Sequence, residues 1–231
     1  TMLQAQKERL QANLLRAVSH DLRTPLTNIN GSASILMKED TCLDQTTKHK
    51  LYTAIYDDTN WMINMTENLL VATHLETDKN SFKMEPELVD DLFQSTIAHL
   101  DRRASEHKIT VKLDDTTLMA TMNAGLIQRV LVNIMNNTPA GSVIELRGEQ
   151  KDNMVQISVS DNGLGIPVEA KKHLFDLFFT ASQGKGDCQR GLGLGLNLCQ
   201  SIITMHGGKI EVMDHMPTGT TFQFTLPLVS S

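Results

Sequence analysis

The sequence predicts an α+β protein: an N-terminal two-helix hairpin that pairs with a second copy into a dimeric four-helix bundle, then a two-layer α/β sandwich. Three observations carry this. Residues 1–76 are almost all helix formers, with one polar interruption near Lys38–Thr46. Within them Leu51, Ile55, Asp58, Met62, Met65, Leu69 and Ala72 step alternately by four and three, a heptad seam that is apolar at every step but Asp58. From Glu87 onward the pattern changes to short alternating strands interleaved with helices.

In the first helix Leu3, Leu10, Leu14 and Ala17 recur at roughly helical spacing. Two long helices on either side of a short loop make an antiparallel hairpin. One hairpin buries little, so so long a seam calls for a partner, most simply a second copy. Packing of the hairpin on the rest of its own chain is the alternative. A polar link, 77–86, then separates this first domain (1–76) from a second (87–231). In the second, helices fit Leu88–Ser105, Ala124–Asn137, Glu169–Phe175 and Leu194–Met205. Strands fit Ile109–Leu113, Thr117–Thr121, Val143–Arg147, Val155–Ser160, Lys209–Met213 and Thr221–Leu226. Val155, Ile157 and Val159 alternate with polar residues, so one face of that strand is buried. One mixed sheet with helices on one face follows.

Composition excludes several classes. The chain has 231 residues, 40% of them hydrophobic, enough for a sizeable core. A net charge of -6 with no basic stripe argues against nucleic acid as a partner. Cys42, Cys188 and Cys199 lie far apart without metal-ligand spacing, which fits a reducing, cytoplasmic setting. No apolar run approaches membrane-spanning length. The chain opens mid-helix without a capping signal, so a membrane attachment would come only through a region N-terminal to it.

Residues Ser19–Thr27, "SHDLRTPLT", interrupt the helical grammar. Pro25 lacks an N–H and clashes with the carbonyl of Asp21, so a bend is expected there, with Thr24 pushed from helical geometry. His20 at such a bend is accessible, and neutral imidazole is a nucleophile. Asp21 could fix its tautomer by accepting from one ring nitrogen and leaving the other for attack on a phosphoryl group. Thr24 lies four residues on, on the same face, where it could hold a water. The dipeptide alone is equally a surface pair beside an ordinary kink.

Two glycine clusters shift that balance. In "SDNGLGIP" (Ser160–Pro167), Asp161 ends a strand, and a carboxylate suits the exocyclic amine of adenine. Gly163 and Gly165 permit positive φ and close approach of a flat base. In "RGLGLGL" (Arg190–Leu196), Gly191, Gly193 and Gly195 lead into a helix whose N-terminal N–H groups can meet phosphate. The polar stretch Thr180–Gln189 before it reads as a lid, with Lys185 or Arg190 in reach of phosphates. In "LVNIMNN" (Leu131–Asn137), Asn133 and Asn137 share a helical face, and an amide oxygen beside a triphosphate can ligate Mg²⁺. An Asn-Gly turn, surface charge and a polar helix edge are the simpler readings of each piece alone.

Together, and in this order, these pieces resemble the transmitter region of bacterial sensor histidine kinases. "SHDLRTPL" resembles the H box, "NIMNN" the N box, "DNGLGI" the G1 box, "LFDLFF" (Leu174–Phe179) the F box and "GLGLGL" the G2 box, with "GTTF" (Gly219–Phe222) as the closing glycine motif. "YDDTNWMINMTENLL" with "LLRAVSHDLRTPLT" resembles the KdpD-type kinases that respond to potassium or turgor. The resemblance implies a GHKL-type, Bergerat ATP-binding fold in the second domain, and ATP and Mg²⁺ as cofactors. It implies His20 as phosphoacceptor, Asp21 as its acidic partner and Thr24 as an aid to dephosphorylating a response regulator. Asp161 would bind adenine and Asn137 magnesium. Asn133, Gly163, Gly165, Gly191, Gly193 and Gly195 would line the pocket, and Phe175 and Phe178 would anchor the lid. The partners implied are a second copy and a response-regulator receiver domain, and the location is the cytoplasmic part of a cell-membrane protein. One feature departs from the family: about one helical turn, which usually carries a basic residue, is missing after Asn137, where "TPAGS" follows at once. That departure supports one rival, a non-enzymatic dimeric signalling scaffold with an impaired ATP site; the other, an ATPase of the gyrase and heat-shock chaperone group, shares the Asp-x-Gly-x-Gly pocket but lacks a histidine hairpin.

Overall fold

The computed structural model describes residues 2–39, 42–77, 82–100, 107–139, 141–176, 179, 193 and 195–229, with the side chains of 2–17, 39 and 74–77 left aside. The chain divides into two compact units, Thr1–Val71 and Ala72–Ser231.

The first unit is a pair of long helices, α1 (Met2–Glu39) and α2 (Gln45–Thr77). Asp44 caps α2: its carboxylate accepts from the Thr47 N–H at 2.7 Å, and its carbonyl accepts from Lys48 N–H at 3.0 Å. That hydrogen bonding holds the Asp44 carboxyl below its ordinary pKa. The displacement of Thr24 from helical geometry expected before Pro25 does not occur. α1 runs through it, and Thr24 keeps helical backbone. Proline removes one hydrogen bond, the one to the Asp21 carbonyl, and a helix of 38 residues is held on both sides of that gap.

Every residue of the heptad seam on α2 is at least half-buried, and Met65 is fully so. The seam is therefore engaged within one chain. A second stripe, one position further round α2, is exposed: Tyr52, Tyr56, Thr59, Ile63, Thr66 and Leu70, again at heptad steps. Both threonines turn their hydroxyls onto their own helix, Thr59 donating to the Ile55 carbonyl at 2.7 Å and Thr66 to that of Ile63 at 2.9 Å.

The second unit runs β1 (Glu85–Leu88), α3 (Val89–Ala98), β2 (Lys108–Leu113), β3 (Met119–Met122), α4 (Ala124–Asn136), β4 (Val143–Lys151), β5 (Met154–Asp161), α5 (Val168–Lys171), α6 (Gly195–Met205), β6 (Ile210–Asp214) and β7 (Thr220–Pro227). Strands β2-β4-β5-β7-β6 form a five-stranded mixed sheet, parallel only between β2 and β4. β1 and β3 form a separate antiparallel pair. β1 was not expected. "EPEL" has no alternating apolar pattern, and its pairing comes from β3, which lies beyond the reach of local sequence.

Alternation builds the two layers. Ile144 and Leu146 on β4, Val155, Ile157 and Val159 on β5, and Phe222, Phe224 and Leu226 on β7 are buried. They face Val89, Leu92 and Phe93 of α3, the stripe Leu126, Ile127, Val130, Leu131, Ile134 and Met135 of α4, and Leu198, Cys199, Ile202 and Ile203 of α6. Burial raises the Cys199 thiol to about 12, so it behaves as a small apolar side chain.

His206 also belongs to this core, at 5% exposure. Its Nδ1 donates to the Ile202 carbonyl at 2.8 Å, and its Nε2 accepts from the Asn123 N–H at 3.0 Å. Burial lowers its pKa below the ordinary histidine value, with the Ile202 carbonyl opposing. The unfolded chain therefore binds this proton more readily than the folded one. The stability tied to neutral His206 is complete above the unfolded value near ~6.5 and is lost as pH falls below it toward the lower folded value. Thermal melts of the chain between about pH 8 and 5 should show this fall, and His206→Gln should flatten that part of the profile.

Candidate functional site

In the hairpin, His20 Nδ1 lies 2.9 Å from Asp21 Oδ1, with the imidazole 77% exposed and the carboxylate 34%. Adjacent helical side chains diverge by about 100°, yet these two rotamers converge. A carboxylate only accepts, so the neutral ring carries its proton on Nδ1 and keeps the Nε2 lone pair. Thr24 is exposed on the same helix four residues later. The expected pairing of His20 with Asp21 is present, and α1 stays helical through Pro25.

In the second unit Asp161 ends β5 and is 8% exposed. One carboxylate oxygen accepts from the Gly163 N–H at 2.8 Å. A side chain at Gly163 would meet that same oxygen at 2.8 Å and the Pro139 ring at 3.2 Å. The need for glycine at 163 is thus steric, and of this pair only Gly165 has a positive φ, at +76°. A Cβ at Gly165 would lie 3.3 Å from the Gly219 carbonyl. Gly219 in turn crosses the Asp161 backbone so closely, at φ +127°, that a Cβ there would overlap the Asp161 carbonyl.

Asn133 lies in α4 and Asn137 is the C-cap of that helix, exposed, with its Nδ2 donating to the Asn133 carbonyl at 2.7 Å. Gly195 opens α6, and a Cβ there would lie 3.8 Å from the Asn133 amide. Gly193, just before, has φ +65°. The structure therefore brings Asn133, Asn137 and Gly195 together, and separately Asp161, Gly163 and Gly165. Gly191, Phe178, Lys185, Arg190 and the expected lid lie outside the described residues. Phe175 is half-buried, and its carbonyl accepts from Asn197 Nδ2 of α6 at 2.8 Å.

The motif reading gave Gly219 no role at the site, although "GTTF" was visible as a motif. Its partner, the Asp161 backbone, is 58 residues earlier in the chain, and only the antiparallel pairing of β5 with β7 brings the two together. It also missed Lys171, whose Nζ pairs with Asp214 at 2.5 Å with its side chain only 15% exposed, tying α5 to the end of β6.

Residues 10–78 match the family described as His Kinase A (phospho-acceptor) domain, and residues 124–230 match Histidine kinase-, DNA gyrase B-, and HSP90-like ATPase. The chain is 36% identical over 229 residues to a protein named Sensor protein KdpD of Clostridium acetobutylicum, covering 97% of this chain and 25% of that protein. The chain belongs to the sensor histidine kinases. It spans about a quarter of that KdpD and about half of a sensor histidine kinase YclK of Bacillus subtilis, at 28% identity over 96% of this chain.

Among solved histidine kinases, the catalytic domain of ThkA superposes with a TM-score of 0.56 at 25% identity, covering 63% of this chain and 96% of that one. ThkA in complex with the response regulator TrrA gives 0.68 at 24%, covering 96% and 63%, and shares the fold. The phospho-acceptor match precedes the ATPase match along the chain. The ATPase family supports ATP as the nucleotide. Among the described residues no three His, Cys, Asp or Glu side chains cluster to hold a metal. The Asn137 amide does fit magnesium: its nitrogen is committed to the backbone, so ligation falls to the neutral oxygen, which suits a cation that keeps waters and phosphates as its other ligands.

Gly219→Ala should test the crossing over Asp161. The added methyl forces the two backbones apart, so the kinase should lose about 1–3 kcal/mol of stability and bind ATP more weakly, read by thermal melt and by nucleotide titration.

Proposed function

We propose that this chain is the kinase core of a two-component sensor that phosphorylates itself on His20 from ATP and passes the group to an aspartate of a response-regulator receiver domain. The observation that carries this is the His20–Asp21 hydrogen bond. It commits Nδ1, so Nε2 attacks the γ-phosphorus in line with the bridging oxygen to ADP. As the N–P bond forms and the P–O bond breaks, positive charge develops on the ring. Asp21 stabilises it by accepting the Nδ1 proton. The carboxylate of Asp161 would receive the adenine amine, Gly163 and Gly165 would let the base approach, and Gly191, Gly193 and Gly195 would turn N–H groups at the start of α6 to the phosphates. Asn133 and Asn137 would flank them, and Mg²⁺ held by Asn137 would supply charge neutralisation. Thr24 would orient the water that hydrolyses the regulator's phosphoryl group. The named complex of ThkA with a response regulator supports a receiver domain as partner.

The functional unit is a homodimer. The exposed stripe Tyr52, Tyr56, Ile63 and Leu70, with its threonine hydroxyls folded back, offers the apolar face that a four-helix bundle needs. Identity to proteins named KdpD from Clostridium acetobutylicum and Escherichia coli supports potassium or turgor as the stimulus and a cytoplasmic position in a cell-membrane protein. The domains are 1–76, a linker 77–86 and 87–231.

His20→Gln should bind ATP as the wild type does and take up no label from γ-labelled ATP. Wild-type label should be lost in acid and kept in alkali, as a phosphoramidate requires; label on the variant would refute His20 as the acceptor. Tyr56→Glu should weaken dimerisation at least about tenfold by sedimentation equilibrium, and an unchanged mass would place the interface elsewhere.

A further inference from the structure

His206 has no part in the phosphoryl chemistry, yet both of its ring nitrogens are engaged. With Nδ1 donating to the Ile202 carbonyl within α6, Nε2 is the acceptor, and it takes the N–H of Asn123. Asn123 is the N-cap of α4. Its Oδ1 accepts from the Leu126 N–H at 3.1 Å, and its Nδ2 donates to the carbonyl of Lys83 at 3.1 Å, just before β1. One imidazole therefore fastens the C-terminal end of α6 to the N-terminal end of α4, and through Asn123 to the chain that enters the unit.

The opposite ends of the same two helices carry the nucleotide residues. Asn133 near the end of α4 faces Gly195 at the start of α6. The helices thus run antiparallel, clamped at one end and meeting the nucleotide at the other, about 15 Å away for ten residues of helix. Between those ends the Cys199 thiol donates a weak hydrogen bond to the Val130 carbonyl at 3.8 Å, and the apolar packing around it is non-directional. The hydrogen bonds of His206 are the directional element at the clamped end.

We propose that His206 is a positioning residue of the kinase: its neutral ring fixes the α4–α6 separation, and so the fit of the Asn133–Gly195 cradle to ATP. The proposal rests on the reading of Asn133 and Gly195 as nucleotide residues. Removing the acceptor leaves a part-buried Asn123 N–H without its partner, which the structure relieves by letting the two helix ends part.

The test is a calorimetric titration of the whole chain with Mg²⁺ and ATP, using His206→Gln, His206→Asn, His206→Leu and Asp161→Asn, each melted without nucleotide to establish folding. Glutamine places an oxygen near the Nε2 position, whereas asparagine reaches only the Nδ1 position. The expected order is wild type, then Gln within about twofold, with Asn and Leu about tenfold weaker. In autophosphorylation the KM for ATP should rise by the same factor at unchanged kcat, because His20 and its partner are untouched. A folded His206→Asn or His206→Leu that binds as tightly as the wild type overturns the proposal, as does a Gln variant as weak as Asn. If Leu does not fold, the Gln–Asn pair decides. Asp161→Asn separates the two claims. Wild-type affinity in that variant overturns the nucleotide reading and the proposal with it; its loss of binding beside an unaffected His206 series overturns the proposal alone.

Discussion

A carboxylate can be kept from water only if donors come to it, and the ATP unit is arranged around that requirement at Asp161. The residue ends β5, the strand flanked by β4 and β7: it pairs with Ile144 of β4, and the β7 ladder ends one residue before it, at Ser160 and Thr221. One oxygen takes the Gly163 N–H. The remaining acceptor capacity is what an adenine amine would use. Gly219 closes the far side by passing over the Asp161 backbone at a distance no side chain allows. The glycines at 163, 165 and 219 are thus consequences of one buried charge and the backbone packed around it.

The helices complete the pocket by a different physics. α4 and α6 present apolar stripes to the sheet and to each other, which fixes their layer but leaves sliding along it weakly opposed. A polar contact supplies register at one end, His206 against the Asn123 N–H; at the other, Gly195 lets α6 start close to the Asn133 amide. The missing turn after Asn137 matters in this setting. Asn137 becomes an exposed C-cap, and α4 offers no basic residue in its last turn. In the proposed kinase reaction the phosphate charge would then fall on the N–H groups at the start of α6 and on Mg²⁺.

Much of this was legible in the sequence because its signals are local. Val155, Ile157 and Val159 alternate, so β5 and its buried face followed; the glycine cluster before α6 marked the start of that helix. What stayed hidden depends on partners far along the chain. β1 has no pattern of its own and exists by pairing with β3. Gly219 gained its role only when β7 folded back on β5. His206 was one histidine among eight, and nothing nearby signalled that its acceptor nitrogen meets Asn123, 83 residues away. At Pro25 the local rule erred over Thr24, which stays helical within the long α1. The seam on α2 was legible as a pattern, whereas its use within the hairpin, with a second stripe left outside, required the packed helices.

The two ends of the reaction therefore make unequal demands on the fold. The acceptor needs an accessible ring with a chosen tautomer, and an exposed neighbouring carboxylate supplies that at little gain or loss of stability. The donor site needs a buried charge, crossed backbones and two helices held in register. Under the proposed mechanism, substitutions at His20 or Asp21 would remove chemistry at little cost to the hairpin, because the pair is largely solvent-facing. Substitutions at Asp161, Gly219 or His206 act on binding and stability together, because the groups that shape the pocket are also the groups that close the core.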